Sequence, residues 1–168
     1  TPIGRAYRGA FNNTPAPTLA AHSIRAAVER AGIEGGQVDD LVFGCALQQG
    51  HQGGNIARNA LLRAGLPVTV PGMSVDRQCA SGLMAIATAA KQIITDNMDI
   101  TVGGGVESTS LVQTPQTRVA ADPELIAMHK DVYMTMLGTA ETVAKRYNIS
   151  RDVCDEYALQ SQQRTAAA

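Results

Sequence analysis

Ser74-Val75-Asp76-Arg77-Gln78-Cys79-Ala80-Ser81-Gly82-Leu83-Met84 changes character within one short stretch. Upstream, Val68 to Asp76 reads as a strand interrupted by Pro71-Gly72. Downstream, Ala80 to about Thr95 reads as a helix that is apolar nearly all round, through Leu83, Met84, Ala85, Ile86, Ala87, Ala89 and Ala90. A helix with so little polar surface is expected to be buried, and its alanines let other elements approach closely. Strand, tight turn and buried helix in succession are the unit from which parallel α/β sheets are built.

The flanking segments repeat that alternation. Ala20, Ile24, Ala27, Val28 and Ala31 recur at helical spacing opposite Arg25, Glu29 and Arg30, and Gly32 closes the helix. Leu41 to Leu47 is a short apolar run that reads as a buried strand. Gln48 to Gly54 is a polar, Gly-rich loop, after which Asn55 can cap a helix running to Ala64, with Gly65 and Pro67 beyond it. Asp99 to Val106 is a further strand, running into glycines. The pattern predicts an α/β fold, a parallel sheet with helices on both faces. From Glu107 to Thr135 the periodicity fades into a surface excursion. Helices are then expected over Thr139 to Tyr147 and from an N-cap at Ser150, the second carrying Val153, Tyr157, Ala158 and Ser161 on one side. Thr1-Pro2-Ile3-Gly4-Arg5 reads as a turn just after a strand, and Ala166-Ala167-Ala168 falls inside a helical pattern. Both ends are therefore expected to lie within a longer protein.

Composition narrows the function classes. The chain has 168 residues, 45% hydrophobic and 17% charged, with a net charge of −1. A chain of about 150 residues hides roughly 70% of its unfolded surface, so a real core is available. Apolar content is too high for disorder, and no apolar run approaches the roughly 18 residues of a membrane span. The near-zero charge lacks the footprint of a nucleic-acid binder. Aromatic residues at 4% with no Trp leave little material for base stacking. No metal-ligand spacing and no nucleotide-phosphate fingerprint is found; Gly103 to Gly105 lack the required spacing.

Cys45, Cys79 and Cys154 form no CxxC pair, and no secretory leader is read, which points to a reducing, cytoplasmic setting without disulfides. Each thiol is then either a small core residue or a nucleophile. Cys79 stands where the helix begins, and helix N-termini favour a thiolate. Ala80, Ser81 and Gly82 leave room for a substrate carbonyl, and backbone N–H groups at the turn could hold an oxyanion. That is the pattern of a thiol that accepts an acyl group. The competing reading is packing, because free cysteine is among the most buried residue types. Cys45 in an apolar strand and Cys154 beside an apolar helix face are expected to be structural. His22, His51 and His129 read as surface residues, and none is an evident base.

Several stretches together resemble the thiolases, the acetyl-CoA acetyltransferases and 3-ketoacyl-CoA thiolases. They are Thr1 to Arg5, Asp39 to Cys45, Ala57-Arg58, Ser74 to Ala87, Gly104 to Ser108, Thr139-Ala140-Glu141 and Ser161 to Arg164. The resemblance implies the thiolase fold, a layered α/β/α/β/α body of two similar halves with a loop domain inserted in the first. On that basis residues 1–108 are the N-terminal α/β half without its first strand, and 109–168 are part of the inserted loop domain with following helices, cut short. Cys79 matches the family cysteine that becomes acylated, and Met136 matches a methionine lining the acyl pocket. The implied reaction is Claisen condensation of acetyl-CoA, or thiolytic cleavage of 3-ketoacyl-CoA by CoA. CoA thioesters enter as substrates and no cofactor is implied. A homodimer is expected, without nucleic-acid or membrane partners.

Two departures bear on this. The family's Gly-His-Pro histidine and its Cys-x-Gly-Gly-Gly second cysteine do not occur in these residues, so they are expected to be inactive alone. The Ser108 to Thr139 segment is shorter than in many relatives, and Thr135-Met136-Leu137 replaces a His-Met-Gly, which puts tetramer formation and chain-length preference in question. Glu107 and Arg58 also match family positions, and for both a structural pairing is the expected role. The alternative of a different class is a non-catalytic thiolase-like module that binds acyl-CoA or lipid, or serves in assembly.

Overall fold

The computed structural model describes residues 4–117 and 120–168. The turn expected over Thr1-Pro2-Ile3 lies outside the described residues. The chain divides into two compact units, Thr1–Arg118 and Val119–Ala168.

In the first unit, helix α1 spans Ala16–Ala31 and buries Ala16, Ala20, Ala21 and Ile24 along one stripe. Gly32 ends it in the left-handed region at φ 67°, where glycine carries no Cβ penalty. Strand β1 spans Asp40–Gly44, and all five residues are buried. Helix α2, Ile56–Ala64, starts where the Asn55 side chain accepts a hydrogen bond from the Arg58 N–H, as its sequence predicts. Strand β2 spans Gly72–Val75, helix α3 Ser81–Thr95 and strand β3 Thr101–Gly105.

The three strands form one parallel sheet in the order β2-β1-β3. Central β1 therefore reads as a continuous apolar run, since it is covered on both faces. Leu41 and Phe43 pack with Ala20, Ala21 and Ile24 of α1 and Ala57, Ala60 and Leu61 of α2. Val42 points to the opposite face, against Ala85 and Ala89 of α3. Helices thus lie on both faces of a parallel sheet, as the alternation predicts.

One expectation changes. The second strand is shorter than Val68 to Asp76, because Arg58 reaches back with its guanidinium to the carbonyls of Val68 and Val70. Those carbonyls are occupied by a side chain rather than by a ladder. Helix α3 turns Ser81, Ala85 and Ala89 inward, and within this chain Leu83 and Ile94 are 73% and 77% exposed. The small residues face the sheet because Gly103 leaves no room for more. A Cβ at Gly103 would lie 2.9 Å from the Ile86 Cα.

The stretch after β3 holds short pieces of structure, helix α4 at Thr109–Val112 and a 3₁₀ turn at Pro115–Thr117. In the second unit, helices α5, α6 and α7 span Pro123–Met128, Met136–Arg146 and Arg151–Ala167. Thr135 caps α6, starting it three residues before the predicted Thr139, and Ser150 caps α7 as predicted. No helix among the described residues is long and apolar enough to cross a membrane.

Candidate active site

Parallel register brings the carboxyl ends of the strands level. Gly44 pairs with Val75 on one side and with Gly105 on the other. In open α/β sheets this edge is where ligands bind. Helix α3 starts directly on it, and glycines make the seat. A Cβ at Gly44 would fall 2.3 Å from the Ser81 carbonyl carbon and 2.5 Å from the Gly82 nitrogen. A Cβ at Gly105 would lie 2.8 Å from the Gly44 oxygen and 3.5 Å from the Gly82 Cα. Only bare backbone fits between the strand ends and the helix start.

Asp76, Arg77, Gln78 and Cys79 connect β2 to that helix. Gln78 takes the left-handed conformation at φ 48°, uncommon for a residue with a Cβ. Two local side chains hold it there. The Asp76 carboxylate accepts from the Gln78 N–H at 2.7 Å, an Asx-type turn. The Ser81 hydroxyl accepts from the Arg77 N–H at 2.8 Å and donates to the Gln78 carbonyl at 2.6 Å. Ser81 is buried, so sequence reading missed its role by treating it only as a small residue. The turn leaves Cys79 exposed, two residues before the start of α3, and the Ser81 N–H donates to the Gln78 carbonyl at 3.0 Å.

Cys45, one residue beyond β1, has the opposite surroundings. It is 1% exposed, and its sulfur lies 3.2 Å from the Gln52 Nε2 and 3.9 Å from a Glu107 carboxylate oxygen. Burial, and then the Glu107 charge, push its thiol from 9.0 up to about 12, so it stays protonated. This agrees with the structural reading of Cys45. Glu107 likewise makes structural contacts: one carboxylate oxygen accepts from the Ala46 N–H at 2.9 Å, the other from the Gln52 amide. Gln52 itself is wholly buried, donates to the Leu47 carbonyl at 2.8 Å and accepts from the Ser108 N–H.

The remaining candidates have other surroundings. Arg58 clamps the Val68–Val70 segment, a structural role as expected. His22, His51 and His129 are exposed. Cys154 lies on α7 and is exposed within this chain. Val153, Tyr157 and Leu159 on that helix are exposed as well. Met136 opens α6 in the second unit and is 80% exposed. A cavity of about 830 Å³ lies among Arg5, His22, Arg25, Val106 and Ser110, and Cys79 does not line it. Among the described residues no group of three His, Cys, Asp or Glu side chains could hold a metal.

Comparison with known proteins identifies the family. The family model described as the thiolase N-terminal domain matches residues 1–168. A 3-ketoacyl-CoA thiolase of Bacillus subtilis is 41% identical over the whole chain, which covers 43% of that protein. One from Saccharophagus degradans is 38% identical, again over the whole chain and 43% of the relative. A beta-ketoadipyl-CoA thiolase of Pseudomonas putida is 37% identical, with 46% of its length covered. The chain thus spans less than half the length of these relatives.

Proposed function

The chain belongs to the thiolase family, whose N-terminal domain it matches throughout, and from that premise we propose that the protein transfers acyl groups through Cys79. The thiolate attacks the carbonyl carbon of acetyl-CoA or a longer acyl-CoA, and the CoA thiolate leaves, giving an acyl-Cys79 thioester. The enolate of a second acetyl-CoA then attacks that thioester, releasing the Cys79 thiolate and a 3-ketoacyl-CoA. In reverse, Cys79 attacks the 3-keto carbonyl, acetyl-CoA departs, and CoA takes the acyl group from the enzyme.

The observation that carries this reading is the exposed thiol on a held, left-handed turn at the entrance of α3, within a family match over all 168 residues. A nucleophile needs access and a fixed approach angle, and the Asp76 and Ser81 contacts supply the second. The proton acceptor and the second cysteine come from residues outside this chain, so residues 1–168 are inactive by themselves. CoA and acyl-CoA thioesters are the substrates, and the working form is a homodimer. Met136 lining the acyl pocket belongs to the same proposal.

Incubating the whole protein with acetyl-CoA and mapping the adduct by mass spectrometry tests it. One acetyl group on Cys79 is the expected result. Acetylation of Cys45 or Cys154 instead, or none at all, overturns it.

A further inference from the structure

Gln52 is the most fully enclosed polar side chain among the described residues of the first unit, and Cys79 chemistry as described leaves it unused. It lies in a 3₁₀ turn at Gly50–Gln52 and is 0% exposed. Its amide can face only one way. The Nε2 side meets acceptors, the Leu47 carbonyl at 2.8 Å and a Glu107 carboxylate oxygen, while Oε1 receives the Ser108 N–H. Rotating the amide by half a turn would set N–H against N–H on one side and oxygen against carboxylate on the other. One side chain therefore joins the chain leaving β1, at Leu47, to the chain leaving β3, at Glu107 and Ser108. Glu107 completes the loop by accepting from the Ala46 N–H at 2.9 Å.

These links lie directly beyond Gly44 and Gly105, the two glycines on which the first residues of α3 rest. The separation of the two strand ends sets the depth of that seat. The seat sets the position of Ser81, whose hydroxyl holds the Gln78 turn and so the Cys79 sulfur. We propose that Gln52 is a positioning residue, which fixes the spacing of the β1 and β3 ends through Leu47, Glu107 and Ser108 and thereby aims Cys79. This rests on the acyl-transfer reading of Cys79.

The test uses the whole protein, with Gln52→Leu and, as a shape-preserving second variant, Glu107→Gln. The second variant sets an amide N–H of residue 107 against the Gln52 amide or the Ala46 N–H. Three readouts are taken well below each melting midpoint: the acyl-Cys79 formation rate at saturating acetyl-CoA, the half-saturating acetyl-CoA concentration, and the alkylation rate of Cys79 by iodoacetamide. A small displacement of a nucleophile costs roughly ten- to hundredfold in rate, and that loss is expected in the acylation rate of a folded variant. The half-saturating concentration and the alkylation rate are expected to stay within roughly threefold, because neither depends on aim. Acylation within roughly twofold of the parent in a folded variant overturns the inference and leaves Gln52 a packing residue. If Gln52→Leu does not fold, Glu107→Gln decides on the same criteria. A parent that acetyl-CoA does not acylate at Cys79 overturns the acyl-transfer reading instead, which keeps the two failures distinct.

Discussion

Cys45 and Cys79 lie just beyond the carboxyl ends of adjacent parallel strands, yet they have opposite surroundings. After β1 the chain stays under cover: Cys45 donates its N–H to the Val75 carbonyl, and Gln52 closes over its sulfur. After β2 the chain reverses through Gln78 at φ 48° and delivers Cys79 to the surface at the start of α3. The difference is therefore not in the residue or the strand. It comes from one left-handed turn held by Asp76 and Ser81, against one buried amide.

The largest test of this contrast is chemical. Only the thiolate alkylates, and moving a thiol from 9.0 to about 12 lowers its thiolate fraction about 10³-fold near neutral pH. Timed labelling of the folded protein with iodoacetamide at pH 8, read by peptide mass mapping, is expected to modify Cys79 and Cys154 and to spare Cys45. Labelling of Cys45 at the Cys154 rate would remove the contrast.

A smaller effect is expected from the seat itself. Gly44→Ala drives a methyl to within 2.3 Å of the Ser81 backbone, where no flexible side chain can yield. Overpacking of this kind costs about 1–3 kcal/mol, measured as the shift in denaturant unfolding, and it pushes the start of α3 outward. Gly82→Ala serves as the control. A Cβ there meets nothing within 4 Å, so in the first turn of a helix it is expected to be neutral or stabilising by about 0.5–1 kcal/mol. Equal destabilisation by both would show that the glycine seat does not hold the helix.

These contacts also show what a sequence reveals. Asn55 to Arg58 and Ser150 to Val153 are caps whose partners lie three residues apart, so both helix starts are visible in the chain itself. The apolar run of β1 and the strand–turn–helix at Cys79 are local in the same way. The Gln52 bond to the Ser108 N–H joins residues 56 apart, and Glu107 meets Ala46 across 61. Such pairs form only after the sheet has set its register, and a Gln in a Gly-rich loop carries no local mark of them. Arg58 shortens β2 for the same reason, by reaching carbonyls 10 and 12 residues downstream. Helix α3 is local as well: its apolar residues announce packing, and its alanine side is the one that meets this sheet.

The smallest expected effect concerns how the buried thiol couples to pH. The folded chain keeps the Cys45 proton up to about 12, while an unfolded chain releases it near 9.0. The folded state thus binds more protons in that window, and stability falls as pH rises through it. Below 9.0 the contribution is fully present, and it diminishes by about 1.4 kcal/mol per pH unit once the unfolded thiol has ionised. Cys45→Ala lacks this dependence but loses some packing at every pH. Parent and variant share all tyrosines, lysines and arginines, so their other alkaline titrations cancel in the difference. Unfolding free energies measured for both at pH 8 and pH 10 are expected to show the parent's advantage shrinking by about 1.4 kcal/mol at the higher value. A constant gap would mean that the Cys45 thiol ionises as readily inside the fold as outside it, and the sealed environment that sets it apart from Cys79 would then be wrong.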